Sequence, residues 1–536
     1  VAILGHRIAR FDREHQIAEM PTRPLVHSIR NLLLCAALPA CLTTDATDGS
    51  DASDGGDTVV ARGQPATPGA PDIGDPLFPG LGNGGYDVQH YHLDLRYATA
   101  APDQPLDGTV TILARATQAL SRFDLDFAGD SLAAVAVDGR PAAFTWDGSE
   151  LVITPARAIR DGALFTVTVS HFVAHPKVVD PAVLLGAPFF QSPDGSAWAL
   201  QPGNAHTVFP SNDHPSDKAS YSFLLDVPAG TTAVANGERI AALTLGGRSL
   251  SLYDQPEPMA SELATVAVGA FTVTDRGRHA GVHVRDVTPT RLTAELAPRL
   301  ALETAQLDFL TARLGPYPFH SYGSLVVEAP LNFALECQTL SLYDGRLFGS
   351  DDPATFGPVT AHELAHQWFG DSVSPGRWEN VWLSEGHAAW YELEWQLGVD
   401  SAAWIARARQ FYSFADLLRV FVAPVASPKS GEVLELFNSN VYQGGFLVLM
   451  ALRQQVGDAA FRAIERAWVT RFRGRSATTD DFIALASEVS GQDLDGFLRD
   501  WLFGTKTPPM PGFPDFVAID PGSFLAAPQL PIEPKR

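Results

Sequence analysis

The stretch Pro358–Glu392, PVTAHELAHQWFGDSVSPGRWENVWLSEGHAAWYE, decides how the rest of the chain is to be understood. It contains HELAH, so His362 and His366 stand four apart on a segment whose pattern predicts a helix opened by Pro358 and closed by Gly370. Residues four apart lie on one helix face, so the two imidazoles can share one zinc ion. Glu363 projects roughly 100° round the helix from His362, beside a metal rather than onto it, where a general base belongs. A third ligand is still required. Glu385 comes nineteen positions past His366, in a segment where Trp382, Ala389, Trp390 and Leu393 recur at helical spacing. Two histidines and one carboxylate leave the fourth tetrahedral position open, which marks a catalytic rather than a structural zinc site. Chance matches to HExxH number below about 0.05 in a chain with 15 His and 61 acids, and the third acid lowers that further.

HELAHQWFGD followed by WLSEGHA resembles the aminopeptidase N family of zinc metallopeptidases, which includes the leukotriene hydrolase. The family pattern is HExxH, eighteen residues, then Glu, and this chain fits it. It departs where the family has NEGFA: Ser384 and His387 stand for the usual Asn and Phe. Neither is a ligand, so the departures concern the groups behind the ligands and the shape of the pocket.

The resemblance implies further site residues. In the family a GAMEN-like segment runs along the cleft, and its Glu binds the free amino group of the substrate. Phe333-Ala334-Leu335-Glu336-Cys337 occupies that place here, with Ala334 and Glu336 matching letter for letter. A buried ammonium needs a charged partner, and a carboxylate at fixed distance from the metal measures one residue inward from the chain end. Gln201, nine before Pro210, matches a polar residue that reaches into the substrate cleft. Tyr442, 57 residues past Glu385, matches a tyrosine whose hydroxyl donates to the oxyanion of the tetrahedral intermediate. The family follows that tyrosine with YxKG or YxRG, whereas Tyr442-Gln443-Gly444-Gly445 lacks the basic residue. Solvated loop side chains at Gln201 and Glu336, and a core aromatic at Tyr442, are the plainer alternatives. Cys337 reads as a small packed residue, because no histidine is arranged to activate it.

The 536 residues leave room for two to four domains. A formal charge of −23 argues against a nucleic-acid partner, since no basic patch offsets the repulsion from phosphate. Two of the three cysteines, Cys35 and Cys41, lie in a leader, so Cys337 has no partner for a disulfide framework.

Five segments follow in order. Residues 1–41 form a leader with translation starting at Met20: Arg23 and Arg30 precede an apolar run, Leu32–Ala40, too short to span a membrane permanently. Leu38-Pro39-Ala40-Cys41 resembles a bacterial lipoprotein processing site, with Cys41 as the lipidated residue; an ordinary signal cleaved near Ala40 is the alternative. Either predicts export from the cytoplasm: to a bacterial cell envelope as a membrane-anchored lipoprotein, or otherwise as a secreted or periplasmic protein. Residues 42–83 are rich in Asp, Gly, Ser, Thr and Pro and predict a flexible acidic linker. Residues 84–281 alternate with period two, as in YDVQHYHLDLRY, with Gly246-Gly247 as a hairpin turn, and predict an all-β, sandwich-like domain. There His90 and His92 read as strand surface residues. Residues 282–507 turn helical, Leu292, Leu296, Leu300, Leu307, Leu310 and Leu314 recurring around a gap at Glu303. By the resemblance this is a thermolysin-like, mixed but mainly helical catalytic domain. Residues 508–536 are proline-rich and read as an extended tail; the helical-repeat domain that larger family members carry after this point is not expected.

The expectation is a zinc aminopeptidase with one zinc ion, acting on peptides with a free amino terminus. The alternatives are another zinc hydrolase, an endopeptidase or an epoxide hydrolase, and a surface protein that retains zinc without turnover.

Overall fold

A computed structural model describes residues 65–179 and 188–526. The predicted leader, Met20, Cys41 and the acidic run as far as Gln64 lie outside the described residues. The first domain is β-rich and the second mainly helical.

An eight-stranded sheet forms the first domain's backbone, with Ala219–Pro228, Tyr86–Tyr97, Leu106–Ala116 and Leu164–Ala174 as consecutive inner strands. Alternation works as expected on one face, where Tyr91, Leu93, Leu95 and Tyr97 are buried. His90 and His92, expected at the surface, are buried as well. Parallel pairing sets Ser220 beside His90 and Ser222 beside His92, and each His Nδ1 lies 2.8 Å from the hydroxyl of its neighbour. A neighbouring strand thus supplies the polar partners that burial demands. The Gly246-Gly247 turn joins Glu238–Leu245 to Arg248–Met259 with φ of 59° and 76°, as a tight hairpin of this type requires.

Two predicted boundaries move. Strand Phe271–His279, assigned from sequence to the β-domain, forms a hairpin with Val282–Pro289 and joins Ser321–Val327, Ser341–Asp344 and Ala334–Leu335 in the five-stranded sheet of the second domain. Alternation identifies a strand but not the sheet that takes it. The stretch 65–83, expected as linker, is packed: Thr67–Pro68 pairs with Leu120–Asp126, and Phe78 lies against Trp378 with ring centroids 5.3 Å apart. Its composition is poor in apolar residues, but Asp75 is buried, paired with His214 at 3.0 Å and accepting the Trp378 amide at 2.9 Å. Polar clamps there supplement the packing of Leu77 and Phe78 against the helical core.

In the second domain, the leucine repeat becomes Thr293–Leu300 and Glu303–Leu314, burying Leu296, Leu300, Leu307, Leu310 and Leu314. The histidine helix spans Pro353–His366, five residues earlier at its start than Pro358 predicted. Asp352 caps it through the Ala354 amide and Pro353 occupies the first turn; Pro358 is tolerated inside. Helix Trp382–Leu397 packs along it. The described part of the expected extended tail, 508–526, is docked: Tyr412 donates to the Pro508 carbonyl at 2.9 Å, Met510 and Phe516 are buried, and Pro521–Ala526 is helical. Among the described residues no helix is long and apolar enough to cross a membrane.

Candidate metal centre

The last two turns of the histidine helix and the first turn of Trp382–Leu397 bring His362, His366 and Glu385 together. One ligand atom from each lies within 4.8 Å of the others. Glu385 Oε2 is 3.3 Å from Nε2 of both rings. Burial would lower the pKa of His366, but the carboxylates of Glu336 and Glu385 outweigh it and raise it to about 9. Burial likewise works against Glu385, yet His366 and His362 hold its carboxyl down at about 2. The acids thus draw positive charge to the point where the three side chains converge. Two imidazole nitrogens and a carboxylate oxygen are the donor set of a catalytic zinc, and these residues fit one.

What lies behind the ligands fits equally well. A metal-binding imidazole is held by a hydrogen bond from its other nitrogen, which fixes ring and tautomer. His362 Nδ1 is 3.1 Å from Glu392 Oε2. His366 Nδ1 is 3.0 Å from the Phe369 carbonyl and 2.9 Å from Ser384 Oγ, whose own hydroxyl donates to the same carbonyl at 3.0 Å. Ser384, a departure from the family pattern, is therefore a support of His366. Gly370 makes this contact possible: at φ +118° its backbone passes so close that a Cβ would collide with Ser384 Oγ and crowd His366 Nδ1. Glu392 was missed in the sequence. Its signal was there, seven residues past Glu385 and so two turns along the same helix face.

The site opens into a cavity of about 390 Å³. Gln201, Ala334, Glu336, Glu363 and Tyr442 all line it with the three ligands. Glu336, 135 residues from Gln201, accepts a 2.6 Å hydrogen bond from the Gln201 amide. Ala334 belongs to the edge strand Ala334–Leu335. Glu363 is pushed up to about 8, by burial first and then by Glu336 and Glu385, against the pull of His362 and His366. Tyr442 sits in a π-helical turn, Asn440–Gly444, with its ring stacked on His362 at 6.0 Å. Burial and the carboxylates of Glu385, Glu336 and Glu363 hold its pKa well above the usual phenol range, so it remains a hydrogen-bond donor at neutral pH. Four carboxylates, Glu336, Glu363, Glu385 and Glu392, line the cavity, with no Lys or Arg among the described residues that line it.

The other departures are accommodated by packing. His387 is buried, stacked on Phe369 at 4.2 Å, with Nδ1 2.7 Å from the Leu383 carbonyl and Nε2 3.2 Å from Glu465. Cys337 is buried and has no disulfide partner among the described residues. Gly386, next to Glu385, meets Gly445, three past Tyr442, backbone to backbone: a Cβ on either would come within 2.9 or 2.6 Å of the other's Cα.

Comparison with known proteins places this arrangement. A peptidase family M1 domain is matched over residues 302–501. Among curated proteins, Aminopeptidase M1-A of Oryza sativa is 27% identical over 56% of this chain, and glutamyl aminopeptidase of Mus musculus 25% identical over 56%. The chain spans about a third of the length of these relatives, 36% and 33% respectively. Among solved structures, the M1 zinc metallopeptidase of Deinococcus radiodurans aligns with a TM-score of 0.73 at 29% identity, covering 82% of this chain and 99% of that one. A variant of that enzyme was solved with a Tyr-Ser-Ala substrate bound. The chain thus carries a peptidase family M1 domain over residues 302–501 and has the two-domain fold of an M1 zinc metallopeptidase.

Proposed function

We propose that the protein is a zinc-dependent aminopeptidase that removes the amino-terminal residue of peptides. The observation that carries this reading is Glu336, held by Gln201 in the same cavity as His362, His366 and Glu385, with no Lys or Arg among the described lining residues to neutralise it. An ammonium group supplies the missing charge, and its distance from the triad selects the first peptide bond.

Zinc held by His362, His366 and Glu385 would polarise the scissile carbonyl and acidify water. Glu363 takes the proton of the attacking water and delivers it to the departing amine; a carboxyl whose proton affinity burial has raised suits both halves of that task. The Tyr442 hydroxyl, on a ring stacked against His362 in the same cavity, donates to the carbonyl oxygen as negative charge develops there. Glu336 and Gln201 hold the substrate amine throughout. Aminopeptidases among the relatives, and a neighbour crystallised with a tripeptide, support the same reading.

Paired peptides with free and acetylated amino termini, assayed with and without a chelator, test it. Chelator-sensitive hydrolysis confined to the free-amine series is expected; equal cleavage of the blocked series would leave Glu336 without its assigned role. We further read residues 20–41 as an export signal ending at a lipidated Cys41, which incorporation of labelled fatty acid into the wild-type chain and not into Cys41→Ser checks.

A further inference from the structure

We propose that Gln367 is a positioning residue that sets how far Glu336 stands from the metal ligands. The inference deepens the function proposed above and rests on the amine-binding role given there to Glu336.

Gln367 follows His366 directly, as the C-cap of the histidine helix, and is fully buried. Its side chain reaches away from the cavity to the segment that carries Glu336. The amide nitrogen donates to the Glu336 carbonyl at 3.3 Å, and the amide oxygen accepts from the Thr339 N–H at 2.9 Å and from the Tyr317 hydroxyl at 3.1 Å. Beyond Glu336 the chain makes a tight turn over residues 337–340, closed by the Leu340 N–H donating to the Cys337 carbonyl at 2.9 Å. The Glu336 carbonyl and the Thr339 N–H are left over by that turn, and one side-chain amide takes both. Its orientation is forced: a backbone N–H only donates and a backbone carbonyl only accepts, so oxygen faces Thr339 and nitrogen faces Glu336.

The turn does not hold its shape unaided. Thr339, its third residue, has φ of 65°, where Gly or Asn is the usual occupant and a β-branched residue is rare. Contacts from both domains impose it. From the first domain the Gly237 N–H donates to Thr339 Oγ1 at 2.8 Å and the Asn236 amide to the Gln338 carbonyl at 2.6 Å. From the second, Gln367 ties the backbone of Glu336 itself to the helix of the metal ligands, one peptide bond from His366. Gln201 thus directs the carboxylate of Glu336, while Gln367 fixes the backbone from which that carboxylate reaches. A substrate amine held there presents its carbonyl at a set distance from His362, His366 and Glu385, and an amine one carbon further away is out of register.

The experiment compares an α-aminoacyl anilide with its β-amino homologue, whose amine lies one carbon further from the scissile carbonyl, on the zinc-loaded full chain. Gln367→Met keeps the length of the side chain and removes its hydrogen bonds; Tyr317→Phe is milder and removes only the hydroxyl that steadies the amide oxygen. Bound zinc is counted by elemental analysis, and kcat and KM are measured separately for each substrate. Both variants are expected to keep their zinc. The α-over-β preference in kcat/KM is expected to fall, by about 10- to 100-fold in Gln367→Met and by less in Tyr317→Phe, with KM for the α-substrate rising. A general loss of folded enzyme lowers both substrates alike and leaves that ratio where it was. An unchanged ratio in every variant that folds overturns the inference, as does loss of zinc from Gln367→Met, which would make the residue a support of the ligands instead. A wild type that cleaves amino-acetylated peptides as readily as free ones overturns the amine-binding reading and this inference with it. A wild type that demands the free amine, with variants of unaltered ratio, overturns this inference alone.

Discussion

The two ends of the catalytic cavity treat their acids in opposite ways. At the metal end every carboxylate faces a base: Glu385 lies between two imidazoles, and Glu392 meets His362 from behind. At the other end Glu336 and Glu363 lie within 4.8 Å of each other, sharing the single imidazole of His366, and Glu336 takes its hydrogen bond from an amide. The consequence is seen in the acids themselves, since Glu385 is held down at about 2 while Glu363, on the neighbouring helix, is pushed up to about 8. Pairs of carboxyls driven apart in this way divide the labour of a site, one fixed as an anion and one free to exchange protons. One end is balanced in itself and fits a metal; the other is unbalanced, and under the proposed function the substrate's ammonium group would balance it.

The sharpest way to break this contrast is to neutralise one acid at each end. Glu385→Gln is expected to lose zinc, seen in elemental analysis of the dialysed protein, and with it all turnover. Glu363→Gln is expected to keep its zinc while kcat falls by about 10²–10⁴, the range for loss of a positioned proton carrier. If Glu363→Gln also lost its metal, the two ends would not be distinct.

A smaller effect sharpens the picture of the balanced end. Glu392→Gln takes the charge from behind His362 and should weaken zinc binding by about 10- to 100-fold, measured by competition with a chromophoric chelator. Ser384→Ala should cost less, towards the lower limit of that range, because the Phe369 carbonyl still holds His366 Nδ1. The reverse order would mean that the serine, and not the glutamate, secures its imidazole.

The metal end was legible in the sequence and the amine end only by resemblance. His362, Glu363 and His366 are neighbours on one helix, so spacing alone specifies their relation, and Glu385 follows within one short connection. Gln201 and Glu336 come from different domains, and nothing in local periodicity brings them together. The same limit explains the burial of His90 and His92, whose serine partners lie 130 residues away, and the strand Phe271–His279, whose sheet is decided by residues that follow it. Asp75 is the clearest case: within an acidic, apolar-poor stretch it looks like solvent-facing chain, and only the fold shows it clamped between His214 and Trp378. Local order is written in neighbouring residues, whereas long-range partners are settled by packing.

The contact between Gly386 and Gly445 has a mechanical consequence. With no side chain between them, the helix that bears Glu385 and the helix that follows Tyr442 touch as bare rods, so the carboxylate and the phenol share one pivot. A methyl group at either glycine acts as a wedge there. It would tilt the tyrosine away from the bond being cleaved while every ligand, base and donor kept its identity, and a chain intact at each of those positions could still fall silent through the loss of a single hydrogen atom's worth of space.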